Sequence, residues 1–385
     1  MVRRVAARRG REEVENVAQN KIVRAESLGS LLQSEALLEA RAKQTSGEIP
    51  LEELRGIEDR EVLSAIALQE SLGLDVISDG ELRRSGWSAA RTYLEGMDMV
   101  KGPRSYPTNV NSAAQSDPEA AFPTVVRKVS PRTDASLAEE YPFLHTNAHV
   151  RTKYTMAAPS YFRRFWSDTA SVAAYDNCEA FLEDVAAWMK TRAGWLVAQG
   201  CDYIQLDAPN YGSLCDPANR VFHEEQGHDL DAELLFDVNL DSSICEGLPV
   251  TSALHICRGN GPGGRPHSAG GYEAIAGLMF PKLDFDVALL EYDSDRSGDL
   301  GPVGLVKSGT VAVLGLLTTK DGKLEARDEV ERRIAEAAEL KPLAELAIST
   351  QCGFASAANA PMSADEQTSK LREVVAVARD VWGPT

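Results

Sequence analysis

Thr251-Ser-Ala-Leu-His-Ile-Cys-Arg-Gly-Asn260 is the stretch from which the fold can be read. An apolar run, Leu248 to Leu254, feeds into His255-x-Cys257 and breaks at Arg258-Gly259-Asn260. Side chains two apart on a strand share a face, so His255 and Cys257 can present an imidazole and a thiolate to one point. Gly-Asn suits the turn that follows. Zinc favours this ligand mix, although a lone His-x-Cys also fits an ordinary strand end.

Working outward, the same rhythm recurs: a strand-like run, a polar or glycine-bearing stop, then helical sequence. Lys21 to Gly29 reads as a first strand ending at Gly29-Ser30, with helical sequence over Leu31 to Lys43 and Leu51 to Leu72. The second of these carries Leu54, Ile57, Val62, Ile66 and Leu68 near helical spacing. Leu74 to Glu81, Thr152 to Pro159, Asp202 to Asp207, Val287 to Asp293, Val311 to Leu317 and Leu346 to Cys352 read as further strands. Helices are expected over Glu179 to Gln199, Ala326 to Leu340 and Asp365 to Val381. Eight strands alternating with helices point to a (β/α)8 TIM barrel. A doubly wound sheet is the alternative, but no Gly-x-Gly-x-x-Gly loop follows a strand.

The expected organisation is a basic N-terminal tail over 1–20 and one barrel over 21–385. Residues of about 84–150, rich in Pro, Ser and Asn, read as an insertion or lid after the second strand. At 385 residues, 43% hydrophobic and 25% charged, the chain has the profile of a soluble globular protein. A net charge of −18 argues against nucleic acid. No run is long and apolar enough for a bilayer, and the start lacks the apolar core of a secretory signal. Six scattered cysteines do not suggest a disulfide framework, so the cytoplasm is the expected compartment. Cys178, Cys201, Cys215 and Cys245 are expected as buried, small apolar residues.

A barrel's active site lies at the C-terminal strand ends. These read Ser30, Glu81, Pro159, Asp207, His255/Cys257, Glu291/Asp293, Thr318 and Cys352. His255, Cys257, Glu291 and Cys352 would make a four-ligand Zn2+ site. Such a site either staples the barrel or, by giving up its carboxylate, admits a thiol and holds it deprotonated for alkyl transfer.

His255 to Asn260, Leu290 to Gly298, Leu314 to Lys320 and Gln351 to Ser356, with Leu74 to Arg83 and Ile204 to Pro209, resemble the cobalamin-independent methionine synthase family. The likeness is to its catalytic C-terminal barrel and its short single-barrel relatives. It implies a zinc barrel that transfers a methyl or other alkyl group to a small, homocysteine-like thiol. It carries the zinc ligands onto His255, Cys257, Glu291 and Cys352, and the thiol's binding groups onto Ser30, Glu81 and Asp207. The donor implied is methyl-folate or another alkyl donor; an alternative is epoxide opening by a zinc-bound thiol, as in epoxyalkane:coenzyme M transferases. A decarboxylase-like barrel without metal, or a zinc-holding protein without catalysis, stays open as another class.

The sequence departs from the family in several places. The seventh strand ends Leu317-Thr-Thr-Lys320 without the family's histidine, and Asp-Glu-Pro becomes Asp207-Ala-Pro209. Ala25-Glu26-Ser27 replaces Ala-Asp-His, and Gln33-Ser34 replaces Arg-Pro. The other candidates for proton donor are His145, His149, His223, His228 and His267. The run Tyr161 to Trp166 offers either a platform for a flat, carboxylate-bearing donor or an aromatic core face.

Overall fold

The computed structural model describes residues 23–84, 94–102, 104–107, 109–112, 115, 117, 119–132, 136–261, 263, 267–355 and 361–384. The expected tail over 1–20 lies outside them. Seven parallel strands form one curled sheet: β1 (Ala25–Glu26), β4 (Tyr154–Ala157), β5 (Tyr203–Asp207), β6 (Thr251–Ile256), β7 (Val287–Glu291), β8 (Val311–Leu317) and β9 (Leu346–Thr350). Their order is β1-β9-β8-β7-β6-β5-β4. The two edges are joined by parallel bridges from Val76 to Glu26 and from Ile77 to Thr152, giving a TIM-like barrel.

The strand expected over Leu74 to Glu81 is thus reduced to two bridges. The Asp75 carboxylate accepts from the Arg24 and Ala25 amides, which a longer ladder would need. Beyond Ile77 the chain turns sharply, with Gly80 and Glu81 both at positive φ.

Helices cover the sheet: α1 (Glu35–Thr45), α2 (Leu51–Leu72), α3 (Ser136–Asn147), α4 (Cys178–Ala198), α5 (Pro209–Ser213), α6 (Pro217–Glu225), α7 (Leu230–Ser242), α8 (Glu273–Met279), α9 (Arg327–Ala338) and α10 (Ala364–Trp382). The α2 helix buries Leu54, Val62, Ala65 and Ile66 and ends at left-handed Gly73. The α10 helix opens with a Ser363–Glu366 capping box. The expected helix from Leu31 starts four residues later, because the Ser34 hydroxyl caps it by accepting from the Leu37 amide. Leu31 and Leu32 instead donate their amides to the Gly80 carbonyl and the Gln367 side chain, which fixes them as a loop.

Within the stretch expected as an insertion, β2 (Leu94–Lys101) and β3 (Ala121–Pro131) pair as an antiparallel ribbon. Helix α3 also falls within the expected bounds. The ribbon is held to the barrel's flank by Ser171, which donates to the Val125 carbonyl at 2.7 Å, and by Tyr175, which accepts from the Val129 amide at 2.8 Å. Residues 85–93 lie outside the described residues. No described helix is long and apolar enough to cross a membrane.

Inside the barrel, Tyr203, Ala253, Val287, Leu289, Val311, Val313 and Ala347 pack with Val23, Leu28 and Val76. The period of two carries these inward positions forward to Gln205, Asp207, His255, Glu291, Gly315 and Gln351. Low in this interior, Lys153 donates to Glu26 at 2.6 Å and to the Gln205 carbonyl at 2.8 Å. Both charged side chains are 1% exposed.

Replacing Lys153 by methionine leaves Glu26 buried without its counter-charge. The expected loss is about 3–5 kcal/mol of folding stability, read from the midpoint of urea unfolding. A loss under about 1 kcal/mol would show that the pair contributes little to the fold.

Candidate metal and substrate site

The parity that packs the barrel also places its chemistry. Asp207, His255 and Glu291 are inward residues on the adjacent strands β5, β6 and β7, with Asp207 in register with His255. Cys257 follows the end of β6 and Cys352 the end of β9. Ligand atoms of His255, Cys257, Glu291 and Cys352 all lie within 4.8 Å of one another, and the two sulfurs are 3.6 Å apart. All four sequence-predicted ligands therefore meet at one point.

The cluster is largely buried and strongly polarised. His255 donates from Nδ1 to Asp207 Oδ1 at 2.8 Å, while its Nε2 faces Glu291 Oε1 at 3.5 Å. That Nε2 is buried without a hydrogen-bond partner. Burial opposes charge on the ring, but the bond to Asp207 and the facing Glu291 carboxylate outweigh it and raise the imidazole to about 10. Burial would likewise raise Glu291; the His255 contact and the Lys320 charge overcome it and hold the carboxyl at about 2. The Cys257 thiol is pushed up by its contact with Cys352 and by burial.

Glu291 is fixed by three donors: the Arg258 amide at 3.0 Å, Gln351 Nε2 at 2.6 Å and Arg296 at 3.4 Å. The chain crowds here. A Cβ on Gly315, opposite Glu291 in the register, would come within 3.1 Å of three backbone atoms. A Cβ on Gly212 would meet the Cys257 carbonyl at 2.2 Å.

The donor set fits a divalent, borderline-soft cation. It offers two sulfurs, one carboxylate and an imidazole nitrogen aimed at them with no other partner. Asp207 supplies the orienting bond that metal-ligating histidines ordinarily make through their other nitrogen. Sequence reading assigned Asp207 to the substrate and missed this bond. It could have been anticipated only from the β5–β6 register.

A cavity of about 1280 Å³ opens over the cluster. Ser30, Glu81, Asp207, His255, Cys257 and Cys352 line it, whereas Glu291 is wholly buried. Glu81 accepts from Thr155 at 2.7 Å and lies 3.4 Å from Arg84. Burial raises its carboxyl, with Arg84 opposing. Ser30 accepts from the Ala355 amide at 3.3 Å.

Of the five candidate histidines, His267 lines the cavity. His145 stacks on Tyr141, exposed His149 bonds Glu70, and His223 and His228 pack around Tyr106. Lys320, where the family has a histidine nearby, is tied to Asp293 at 2.5 Å. In the aromatic run, Phe162 and Phe165 are core, while Tyr161 and Arg164 reach the cavity. Cys178, Cys201, Cys215 and Cys245 are buried, and burial pushes every one of their thiols up. None of the described residues of 94–147 lines the cavity.

No family model matches the chain. Two uncharacterized Bacillus subtilis proteins are similar along nearly all of it. YxjH is 35% identical over 364 residues and YxjG 36% over 376, each covering 93% of this chain and 94% of the relative. Among solved structures, the putative vitamin-B12 independent methionine synthase from Listeria monocytogenes is 27% identical, with a TM-score of 0.70 over 94% of this chain and 98% of that one. A B12-independent methionine synthase from Shewanella sp. W3-18-1, solved with selenomethionine, shares the fold at 21% identity, a TM-score of 0.69 and the same coverage. A methyltransferase from Methanosarcina mazei shares it more loosely, at 14% identity and a TM-score of 0.51, over 94% and 96% of the two chains.

Asp207→Asn preserves size but puts an amide where His255 and Gln205 both donate. Zinc affinity, measured by chelator competition, is expected to fall about 10–100-fold. Unchanged affinity would mean that the Nδ1 bond does not orient the ring.

Proposed function

The chain belongs to the cobalamin-independent methionine synthase family as one of its single-barrel members, and on that premise we propose that it is a zinc-dependent S-methyltransferase acting on a small, homocysteine-like thiol. The observation that carries this reading is the convergence of His255, Cys257, Glu291 and Cys352 within 4.8 Å under an open cavity. These four residues of a (β/α)8 barrel would hold Zn2+. When bound, zinc lowers a thiol's pKa so that its sulfur is deprotonated at neutral pH.

The chain's own groups do the rest. Glu81 and Asp207 give the cavity an acidic wall suited to a substrate ammonium, and Ser30 lies beside it. Asp207 holds His255 with Nε2 toward the cluster, and the donors on Glu291 keep it a carboxylate. In the transfer, the substrate sulfur forms a bond to the methyl carbon as the carbon's bond to the donor breaks, and the donor leaves with that electron pair. Cys257 serves as a ligand, not as the nucleophile. The acidic wall also favours an amino-acid thiol over a sulfonate thiol, and so methyl transfer over the epoxide-opening alternative.

Three measurements test the proposal. Purified wild type is expected to retain about one zinc per chain and Cys352→Ser much less. Homocysteine with methyl-folate or methylcobalamin is expected to yield methionine by mass spectrometry, with turnover lost on chelation and restored by zinc. Less than about half an equivalent of zinc in wild type, or no loss in the serine variant, would sink the shared metal mechanism. Glu81→Gln should raise the KM for homocysteine at least tenfold, about the contribution of one charge-assisted contact; an unchanged KM argues against the ammonium grip.

A further inference from the structure

Among the described residues, no carboxylate pairs with Arg164 in the cavity wall. Arg164 lines the cavity from the short 3-10 turn Pro159–Phe165 that follows β4. Its guanidinium rests on the Tyr161 and Phe165 rings, 5.1 and 5.7 Å from their centroids. Among the described residues its one hydrogen bond runs from Nη1 to the Tyr161 hydroxyl at 3.1 Å, and its Nε is buried with no partner. The neighbouring Arg163 is, by contrast, fully engaged with Asp237 at 2.6 Å and with Glu179. In a chain of net charge −18, an arginine left without a carboxylate in the wall of the main cavity marks a place where an anion is missing.

His267 stands with it. Its amide donates to the Gly259 carbonyl at 3.1 Å, and its ring packs on Gly259, two residues beyond Cys257. Burial, and behind it the Arg164 charge, pushes its imidazole down, so the ring is a neutral hydrogen-bonding group within reach of the guanidinium's field.

The acceptor's grip is made by other parts of the wall: Ser30 sits against Gly353, Glu81 sits against Gly29, next to Ser30, and Asp207 ends β5. The cavity, at about 1280 Å³, also exceeds the roughly 300–1,000 Å³ that one drug-sized ligand fills, leaving room for two molecules.

Resting on the two-substrate reading above, we infer that Arg164, with His267 beside it, forms an oxyanion-binding subsite for the alkyl donor. That donor carries a carboxylate or phosphate away from the transferred group. The planar guanidinium takes the oxyanion through its unengaged N–H groups. Arg164 is in this sense a specificity residue for the donor and has no part in holding the acceptor.

The test uses the full-length, zinc-loaded protein and two probes, inorganic phosphate and glutarate, titrated by calorimetry into wild type, Arg164→Gln and Arg164→Lys. Wild type should bind at least one probe saturably. The glutamine variant should bind it at least tenfold more weakly, the scale of one lost charge-assisted pair. The preferred probe separates a phosphate-bearing from a carboxylate-bearing donor. Homocysteine titrated into the same proteins should show a Kd within about twofold of wild type in both variants, since Ser30, Glu81 and Asp207 and not Arg164 hold the acceptor.

Equal anion affinity in wild type and Arg164→Gln overturns the inference, as does the absence of saturable binding in wild type. A loss that falls on homocysteine rather than on the anions overturns it too, by assigning Arg164 to the acceptor's carboxylate. If the glutamine variant does not fold, the lysine variant decides: weakening of the anion by threefold or more supports the fork, and no change counts against it. Zinc content and homocysteine binding in wild type report on the methyltransferase reading independently, so failure of one is not mistaken for failure of the other.

Discussion

An imidazole wedged between two buried carboxylates sets the terms for everything around it. Asp207 takes the His255 Nδ1–H at 2.8 Å and Glu291 lies 3.5 Å from Nε2, with all three side chains buried. In a low-dielectric interior such a group must be balanced locally. Asp207 and Glu291 supply that balance by favouring the charged form of the ring. A divalent cation would do the same work better, because it also satisfies the two sulfurs. The surrounding cations, Arg296 and Lys320, neutralise Asp293 and the outer oxygen of Glu291 without entering the cluster.

The scaffold makes this arrangement nearly rigid. Beneath the cluster, Lys153 points its ammonium at the Gln205 carbonyl, so the Gln205 amide must donate to Leu28 and Asp207. Each hydrogen bond fixes the polarity of the next, from the buried Lys153–Glu26 pair up to His255. Alongside, Gly315 lets the Leu290, Thr350 and Gln351 backbone approach, and Gly212 that of Cys257, where any side chain would collide. The fold thus supplies direction as well as position, which a metal site needs to keep its ligands from turning away.

The meeting of His255, Cys257, Glu291 and Cys352 was legible in the sequence because a strand's period of two is strict. His255-x-Cys257 had to share a face, and Glu291 and Cys352 stood at the ends of equally apolar runs. The edges of elements were harder to read. Leu31 to Gln33 looks helical in composition, yet its amides are claimed by Gly80 and Gln367. The strand at Val76 is shortened because Asp75, a side chain, takes ladder bonds. The Asp207–His255 bond lay beyond reach, since it depends on inter-strand register between residues 48 apart. The Tyr161 to Trp166 run offered two readings, and the structure divides it between them: Phe162 and Phe165 pack inward, while Arg164 turns to the cavity.

Glu81 has a φ of 57°, and among the described residues it is the one non-glycine in that left-handed region. A side chain there costs the native state of order 1 kcal/mol, which glycine would not incur. Burial without full compensation adds to the burden on its carboxyl. Selection for thermal robustness alone would therefore drive this position to glycine, and a laboratory search for hardier variants should find that exchange early. Position 81 thus keeps a buried carboxylate at the expense of the fold's stability.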